Sequence, residues 1–264
     1  MLFLENYFKL LLKKPVQSKI LLFQLLLFSV TVFGQITKHD SLNYNTKSKF
    51  KYESLIIPSA LIGYGIIGVE SDGLKKFNAE LKEEIKEHID TKFTIDDISQ
   101  YAPFASVYVL NLLGKEGKHN FKDRTIILGT AYIIMGTTVN GLKKITRIER
   151  PDGSSRNSFP SGHTATAFMG AEFLYQEYKD VSIWYGITGY VVATGTGFFR
   201  MYNDRHWFTD VAAGAGIGIL STKIAYWLHP IINKKLFKKK ESIDGTAVPF
   251  YNGKEFGMAI SLKF

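Results

Sequence analysis

The stretch Lys143–Thr164 reads KKITRIERPDGSSRNSFPSGHT, and it decides how the chain around it must fold. It opens on paired lysines at the end of an apolar run, Ile126 to Leu142. It closes on Pro160-Ser161-Gly162-His163, where a second helical stretch begins and continues to Tyr178. Between the two lie Pro151, Gly153 and a series of Asp, Ser and Asn residues, the composition of a turn-rich loop. A polar connection between two helices puts both of its charged ends at one end of a bundle.

Outward from this loop the chain continues in helical stretches. Leu55 to Val69 (LIIPSALIGYGIIGV), Tyr101 to Leu113, Ser182 to Phe199 and Trp207 to Leu228 are apolar, longer than ten residues and interspersed with Gly and Ala. Such lengths favour helices over strands, and the small residues allow helix backbones to approach one another. Asp72 to Gln100 is charged, with Leu81, Ile85, Ile89 and Phe93 at four-residue steps, the stripe of one surface helix. The expected fold class is all-α, with a short C-terminal β-hairpin. Gly245 to Phe264 carries Asn252-Gly253 at its centre, and its last nine residues alternate with period two. Twenty residues cannot close a membrane barrel, so this tail reads as a hairpin.

The amino terminus reads as an export address. Lys9, Lys13, Lys14 and Lys19 precede Ile20 to Gly34 (ILLFQLLLFSVTVFG), a charge-free run followed by Gln35. A basic region, a short apolar run and a small residue at its exit are the parts of a secretory signal, and an uncleaved anchor is the alternative. The expected organisation is 1–34 signal peptide or N-terminal anchor, 35–54 linker, 55–240 catalytic domain and 241–264 hairpin tail.

Composition narrows the classes further. At 264 residues, 45% of them hydrophobic, the chain is neither disordered nor too short for one good core. The net charge of +9 comes largely from lysines clustered beside apolar segments, at 13–14, 47–51 and 234–240, which suits membrane flanks rather than nucleic acid. The absence of cysteine excludes disulfides, thiolate metal sites and cysteine nucleophiles.

Three clusters carry the chemistry: Lys143-x6-Arg150-Pro151, Pro160-Ser161-Gly162-His163, and Arg200-x5-His206-x3-Asp210. The cations Lys143, Arg150 and Arg200 suit a group bearing several negative oxygens, which arginine can grip in bidentate fashion. Ser161 and Gly162 at a helix start present backbone N–H groups to an anion. His206 and Asp210, at i and i+4, share a helical face, so the carboxylate can hold Nδ1–H and present Nε2 as a nucleophile. His163 is left to protonate a leaving oxygen. Arg147, Glu149, His39, His88, His119 and His229 read as background, without matching neighbours.

In this order and spacing the clusters resemble the signature of the type 2 phosphatidic-acid phosphatase (PAP2) superfamily, which includes lipid phosphate phosphatases, class A acid phosphatases and vanadium haloperoxidases. The resemblance spans Lys143 to Asp210 at motif level, and the helical pattern from Leu55 to Leu228 is similar to that family's six-helix core. It implies that Lys143, Arg150, Ser161, Gly162 and Arg200 hold phosphate, that His206 forms a phosphohistidine, that His163 is the acid and that Asp210 orients His206. It also implies a metal-independent phosphatase with no cofactor, acting on phosphate monoesters or pyrophosphates. Its expected partners are a phosphorylated lipid or small phosphate ester and the membrane, with no nucleic acid and no obligate protein partner. A soluble periplasmic acid phosphatase and a vanadate-dependent haloperoxidase are the alternatives. One position departs from the family: Phe199 stands where a serine usually precedes the third-cluster arginine.

The expected location is a bacterial cell envelope, with the active site facing the periplasm. The lysine-rich segments 115–125 and 229–240 then lie inside. Six crossings counted from an exported Gln35 would put the catalytic loops inside instead. Either the signal is retained, or one apolar stretch does not cross, or the helices form a periplasmic bundle.

Overall fold

The computed structural model describes residues 52–87, 93–236, 244–251 and 255–263. The chain divides into Met1–Lys47 and Ser48–Phe264, and every described residue belongs to the second unit. The signal or anchor expected over 1–34 therefore lies outside the described residues, as do His39, His88 and the Asn252-Gly253 turn.

Eight α-helices form among the described residues. They are α1 (Ile56–Glu70), α2 (Asp72–Lys86), α3 (Asp96–Ser99), α4 (Ala102–Leu112), α5 (Phe121–Thr146), α6 (Gly162–Tyr178), α7 (Ile183–Tyr202) and α8 (Phe208–Leu236). Strands β1 (Asp244–Tyr251) and β2 (Phe256–Lys263) pair antiparallel, from Asp244 opposite Lys263 to Tyr251 opposite Phe256.

Three stretches differ from the sequence reading. The stretch 72–100, expected as one surface helix, forms two, and Phe93 sits before α3 rather than on a continuous stripe. Ser71 starts α2 by accepting from the Leu74 N–H. Helix α5 begins five residues earlier than its apolar run because Asn120 caps it, accepting from the Asp123 N–H at 2.9 Å. Helix α8 runs through Pro230 to Leu236, well past Leu228.

Helix α6 is the centre of the bundle, packed against α4, α5, α7 and α8. Its residues Ala165, Ala167, Met169, Ala171 and Phe173 have no exposed surface, so α6 is buried on most sides rather than amphipathic. Close crossing with α8 depends on two glycines. A Cβ on Gly214 would meet the Ser161 carbonyl at 2.5 Å, and one on Gly218 would meet the Ala165 carbonyl at 2.3 Å. Larger residues there would push α8 away from the start of α6.

Helix direction sets which loops meet. Gly68, near the end of α1, packs on Thr209 at the start of α8, while Gly216 packs on Pro58 at the other end of α1. The last turns of α5 and α7 and the first turns of α6 and α8 therefore share one end of the bundle. The α4–α5 loop and the end of α6 share the other, where the Lys118 N–H donates to the Glu177 carbonyl. That far end holds a buried polar network. Glu177 accepts from the His119 N–H at 3.0 Å and from Tyr226 Oη at 2.6 Å, and pairs with His119 Nδ1 at 2.8 Å. His229 lies 3.2 Å from Asp123. His119 and His229, read from sequence as lacking neighbours, thus have carboxylate partners from other helices or other turns.

Among the described residues, three helices are long and apolar enough to cross a membrane: Tyr52–Glu70, Phe121–Thr146 and Phe208–Lys235. In the first two, 17% and 22% of the most apolar stretch is buried inside the protein, so most of their apolar surface faces outward.

Candidate active site

The site begins where α5 stops. Arg147 adopts a left-handed conformation (φ 49°) and its N–H donates to the Lys143 carbonyl, which ends the helix just beyond Lys143. The chain then folds back through a turn closed by the Gly153 N–H on the Arg150 carbonyl at 2.9 Å. Gly153 itself sits at φ +69°. The Ser158 N–H donates to the Ile148 carbonyl, bringing the end of the loop alongside its beginning. Within this loop the Lys143 ammonium donates to the carbonyls of Asn157 and Ser158.

Ser161 caps α6. Its Oγ accepts from the Thr164 N–H and exchanges a hydrogen bond with Thr164 Oγ1 at 2.8 Å, and its own N–H donates to the Asp210 carbonyl at 3.0 Å. Such a cap is worth about 1 kcal/mol. Ser161 is thereby committed to holding α6 against α8, and Gly162 and His163 are left to present the first-turn N–H groups. The resemblance gave Ser161 a direct part in holding phosphate; its hydroxyl is engaged within the protein.

Asp210 is the organising carboxylate. Its Oδ2 accepts from Ser158 Oγ and from the Trp207 N–H at 2.9 Å, and lies 3.5 Å from His206 Nδ1. That last separation is within ion-pair range but outside hydrogen-bond geometry, since Nδ1 has no hydrogen-bond partner. Trp207 in turn donates its indole N–H to the Glu149 carbonyl at 2.9 Å, which ties the third cluster to the first. His206 is 3% exposed. Burial pushes its imidazole down to about 4, and the charges of Lys143 and Arg200 add to the effect while Asp210 opposes it. The ring is therefore neutral across ordinary pH, the state a nucleophile needs.

Arg200 ends α7 facing the same space. Its guanidinium Nη1 pairs with Asp96 Oδ2 and lies 3.6 Å from Asp97 Oδ1, and its Nε has no partner. Arg150 Nε is likewise buried without a partner. Burial, followed by the charges of Arg200 and Arg205, depresses the Arg150 guanidinium. Two buried arginine donors left unmet are costly in an empty protein and favourable once an anion accepts from them. His163 Nε2 lies 3.0 Å from Asp97 Oδ1. Burial lowers its imidazole most, then Arg200, against the hydrogen bond to Asp97 and the charges of Asp97 and Asp96.

The structure thus brings Lys143, Arg150, Gly162, His163, Arg200, His206 and Asp210 to one end of the bundle. Sequence reading missed Ser158, Asp96, Asp97 and Trp207. Ser158 is one serine in a serine-rich loop, and the two aspartates lie more than sixty residues from their partners, so spacing gave no signal. Asp96, Asp97 and His163 place ligand-type atoms within 4.8 Å of one another. Both oxygens of Asp96 are already taken, by Arg200 and by Asn203 Nδ2 at 3.0 Å, and the adjacent guanidinium opposes a second cation.

The sequence model of the PAP2 superfamily matches residues 124–234. These residues form a PAP2-superfamily domain. It starts in α5, ends in α8 and contains all three clusters, while α1 to α4, with Asp96 and Asp97, precede it. The chain is 40% identical over 157 residues to the lipid A 1-phosphatase of Porphyromonas gingivalis, an alignment covering 56% of this chain and 35% of that protein. It is 31% identical over 98 residues to the bacitracin transport permease protein BcrC of Bacillus licheniformis, covering 36% of this chain and 46% of that one. The chain therefore spans between a third and a half of the length of these two relatives. The crystal structure of Aquifex aeolicus LpxE superposes with a TM-score of 0.45 at 24% identity, over 57% of this chain and 95% of that chain.

Proposed function

We propose that this protein is a metal-independent phosphatase of lipid-linked phosphate monoesters or pyrophosphates, working through a phosphohistidine on His206. The observation that carries the reading is the pair of buried, unmet donors on Arg150 and Arg200, beside a neutral His206 and the first turn of α6.

In the first step His206 Nε2 attacks phosphorus as the bond to the leaving oxygen breaks, and His163 gives that oxygen its proton. Lys143, Arg150, Arg200 and the N–H groups of Gly162 and His163 balance the charge on the transferring group. In the second step His163 takes a proton from water as the water oxygen attacks phosphorus. The N–P bond breaks and inorganic phosphate leaves. Asp210 supports the imidazolium character that develops on His206 in both steps.

A lipid substrate is favoured over a soluble one by the outward apolar faces of α1 and α5, which include Ile56, Ile57, Ile66, Ile67, Ile133 and Ile145. Lipid A 1-phosphate, phosphatidic acid and polyprenyl pyrophosphate are the substrates to try. A periplasmic site is supported by the lysines of the far end, in the α4–α5 loop and at the end of α8, which suit an inner face. At the catalytic end several basic residues are paired with acids: Lys86 with Asp204, Arg205 with Asp152 and Arg200 with Asp96.

The experiment is phosphate release by purified protein from lipid A, phosphatidic acid, polyprenyl pyrophosphate and a soluble monoester, with and without EDTA. Release from at least one lipid phosphate, unaffected by EDTA, is expected. Release from the soluble monoester alone, or only with added metal, contradicts the reading.

A further inference from the structure

The carboxylates of α3 belong to none of the three motif clusters, yet they touch two of the groups that those clusters supply. Asp97 Oδ1 meets His163 Nε2 at 3.0 Å, and Asp96, itself 1% exposed, meets Arg200 Nη1. The segment is docked on α7 by several independent contacts. Asn203 accepts from the Phe93 N–H at 3.0 Å and donates to the Phe93 carbonyl at 2.9 Å, while Ser99 Oγ bonds Thr196 Oγ1 at 2.8 Å. Phe93 also packs on Phe199 with ring centroids 5.7 Å apart, so the residue at the departing position in the third cluster helps to seat this segment.

We propose that Asp97 is the positioning residue for His163 in the phosphatase reaction, holding Nε2–H so that the imidazolium delivers its other proton, from Nδ1, to the leaving oxygen. Asp96 does the same for Arg200: it fixes Nη1 and turns the unmet Nε toward the phosphate. The inference rests on the phosphatase reading above and adds a leaving-group side to it.

A structural role alone does not account for Asp97. Its side chain is 58% exposed and contributes little to the core, and a carboxylate beside an anion site repels substrate unless the neighbouring imidazole is charged. The groups facing His163 are Asp97 and Asp96 from α3 and Arg200 from α7. Arg200 and burial favour the neutral ring, and Asp97 favours the charged one. Removing Asp97 therefore moves the loss of the acid to lower pH.

The test compares Asp97→Asn with wild type on two substrates in the same detergent: phosphatidic acid, with a poor alkoxide leaving group, and p-nitrophenyl phosphate, whose leaving group needs little protonation. The expected result is a kcat loss of about 10- to 100-fold on phosphatidic acid and within about threefold on the aryl ester. The basic limb of the phosphatidic-acid profile should also shift to lower pH. In a His163→Ala background, Asp97→Asn should add no further loss. Equal losses on both substrates, an unmoved basic limb, or an additive loss in the double variant would each overturn the assignment while leaving the phosphatase reading intact. Wild-type protein that releases phosphate from neither substrate, nor from lipid A or polyprenyl pyrophosphate, would overturn both. Asp97→Ala carries the same comparison if the Asn variant is not recovered folded.

Discussion

Two histidine–aspartate pairs stand on either side of the anion site, and their surroundings differ. His206 and Asp210 are sealed between α6 and α8, 3.5 Å apart, with the carboxylate oxygen already shared by Ser158 and Trp207. His163 and Asp97 sit at a partly open edge, in direct contact at 3.0 Å. In the proposed reaction the same two residue types take different tasks. Burial keeps His206 neutral, as its proposed role as nucleophile needs, while a directly bonded carboxylate helps His163 keep its proton. Burial lowers both imidazoles, and at His163 the directly bonded Asp97 opposes that effect.

The comparison can be broken at several points. His206→Ala should have the largest effect, a loss of roughly 10⁴-fold or more in kcat on every substrate, because no other group can form the intermediate. Phosphate release within about tenfold of wild type would remove His206 from its role. Asp210→Asn should follow, with a loss on the order of 100-fold that is the same for alkyl and aryl phosphates, since it acts on the nucleophile rather than the acid. A leaving-group-dependent loss would mean the two pairs had been assigned the wrong way round. Asp97→Asn should give the substrate-dependent pattern described above.

The pH profile should be bell-shaped. His206 must be neutral, so activity falls as pH drops through about 4. His163 must be protonated and its value is lowered from 6.5, so activity falls again as pH rises, below 6.5. The optimum should therefore lie between these limits, and an alkaline optimum would show that His163 is not the acid. The smallest effect should come from Ser158→Ala. It removes one donor from Asp210 and should lower kcat by about 3- to 10-fold with little change in KM.

Much of the catalytic end was legible in the sequence because its residues lie at helix termini, where motif spacing and chain geometry coincide. Lys143 closes α5, Ser161 caps α6, and His206 and Asp210 bracket the start of α8 over a single turn. What escaped was the part built across long separations. Asp97 reaches His163 over 66 residues, and Asn203 reaches Phe93 over 110, with no periodicity to link them. The far-end network escaped for the same reason. Glu177 looks like an ordinary charge near the end of a helix until α8 brings Tyr226 against it, 49 residues on. The helix pattern itself was readable except over 72–100, which forms two helices, at the start of α5, where the Asn120 cap overrides hydropathy, and at the end of α8, which continues through Pro230.

The central claim is that phosphate passes through His206, and trapping the intermediate tests it most directly. Wild-type and His206→Ala proteins would be mixed with ³²P-labelled lipid phosphate, quenched in alkali within milliseconds and digested for mapping. The account predicts acid-labile, alkali-stable label on the peptide containing His206 in the wild type and none in the variant. Label on another residue, or label persisting in His206→Ala, would contradict it.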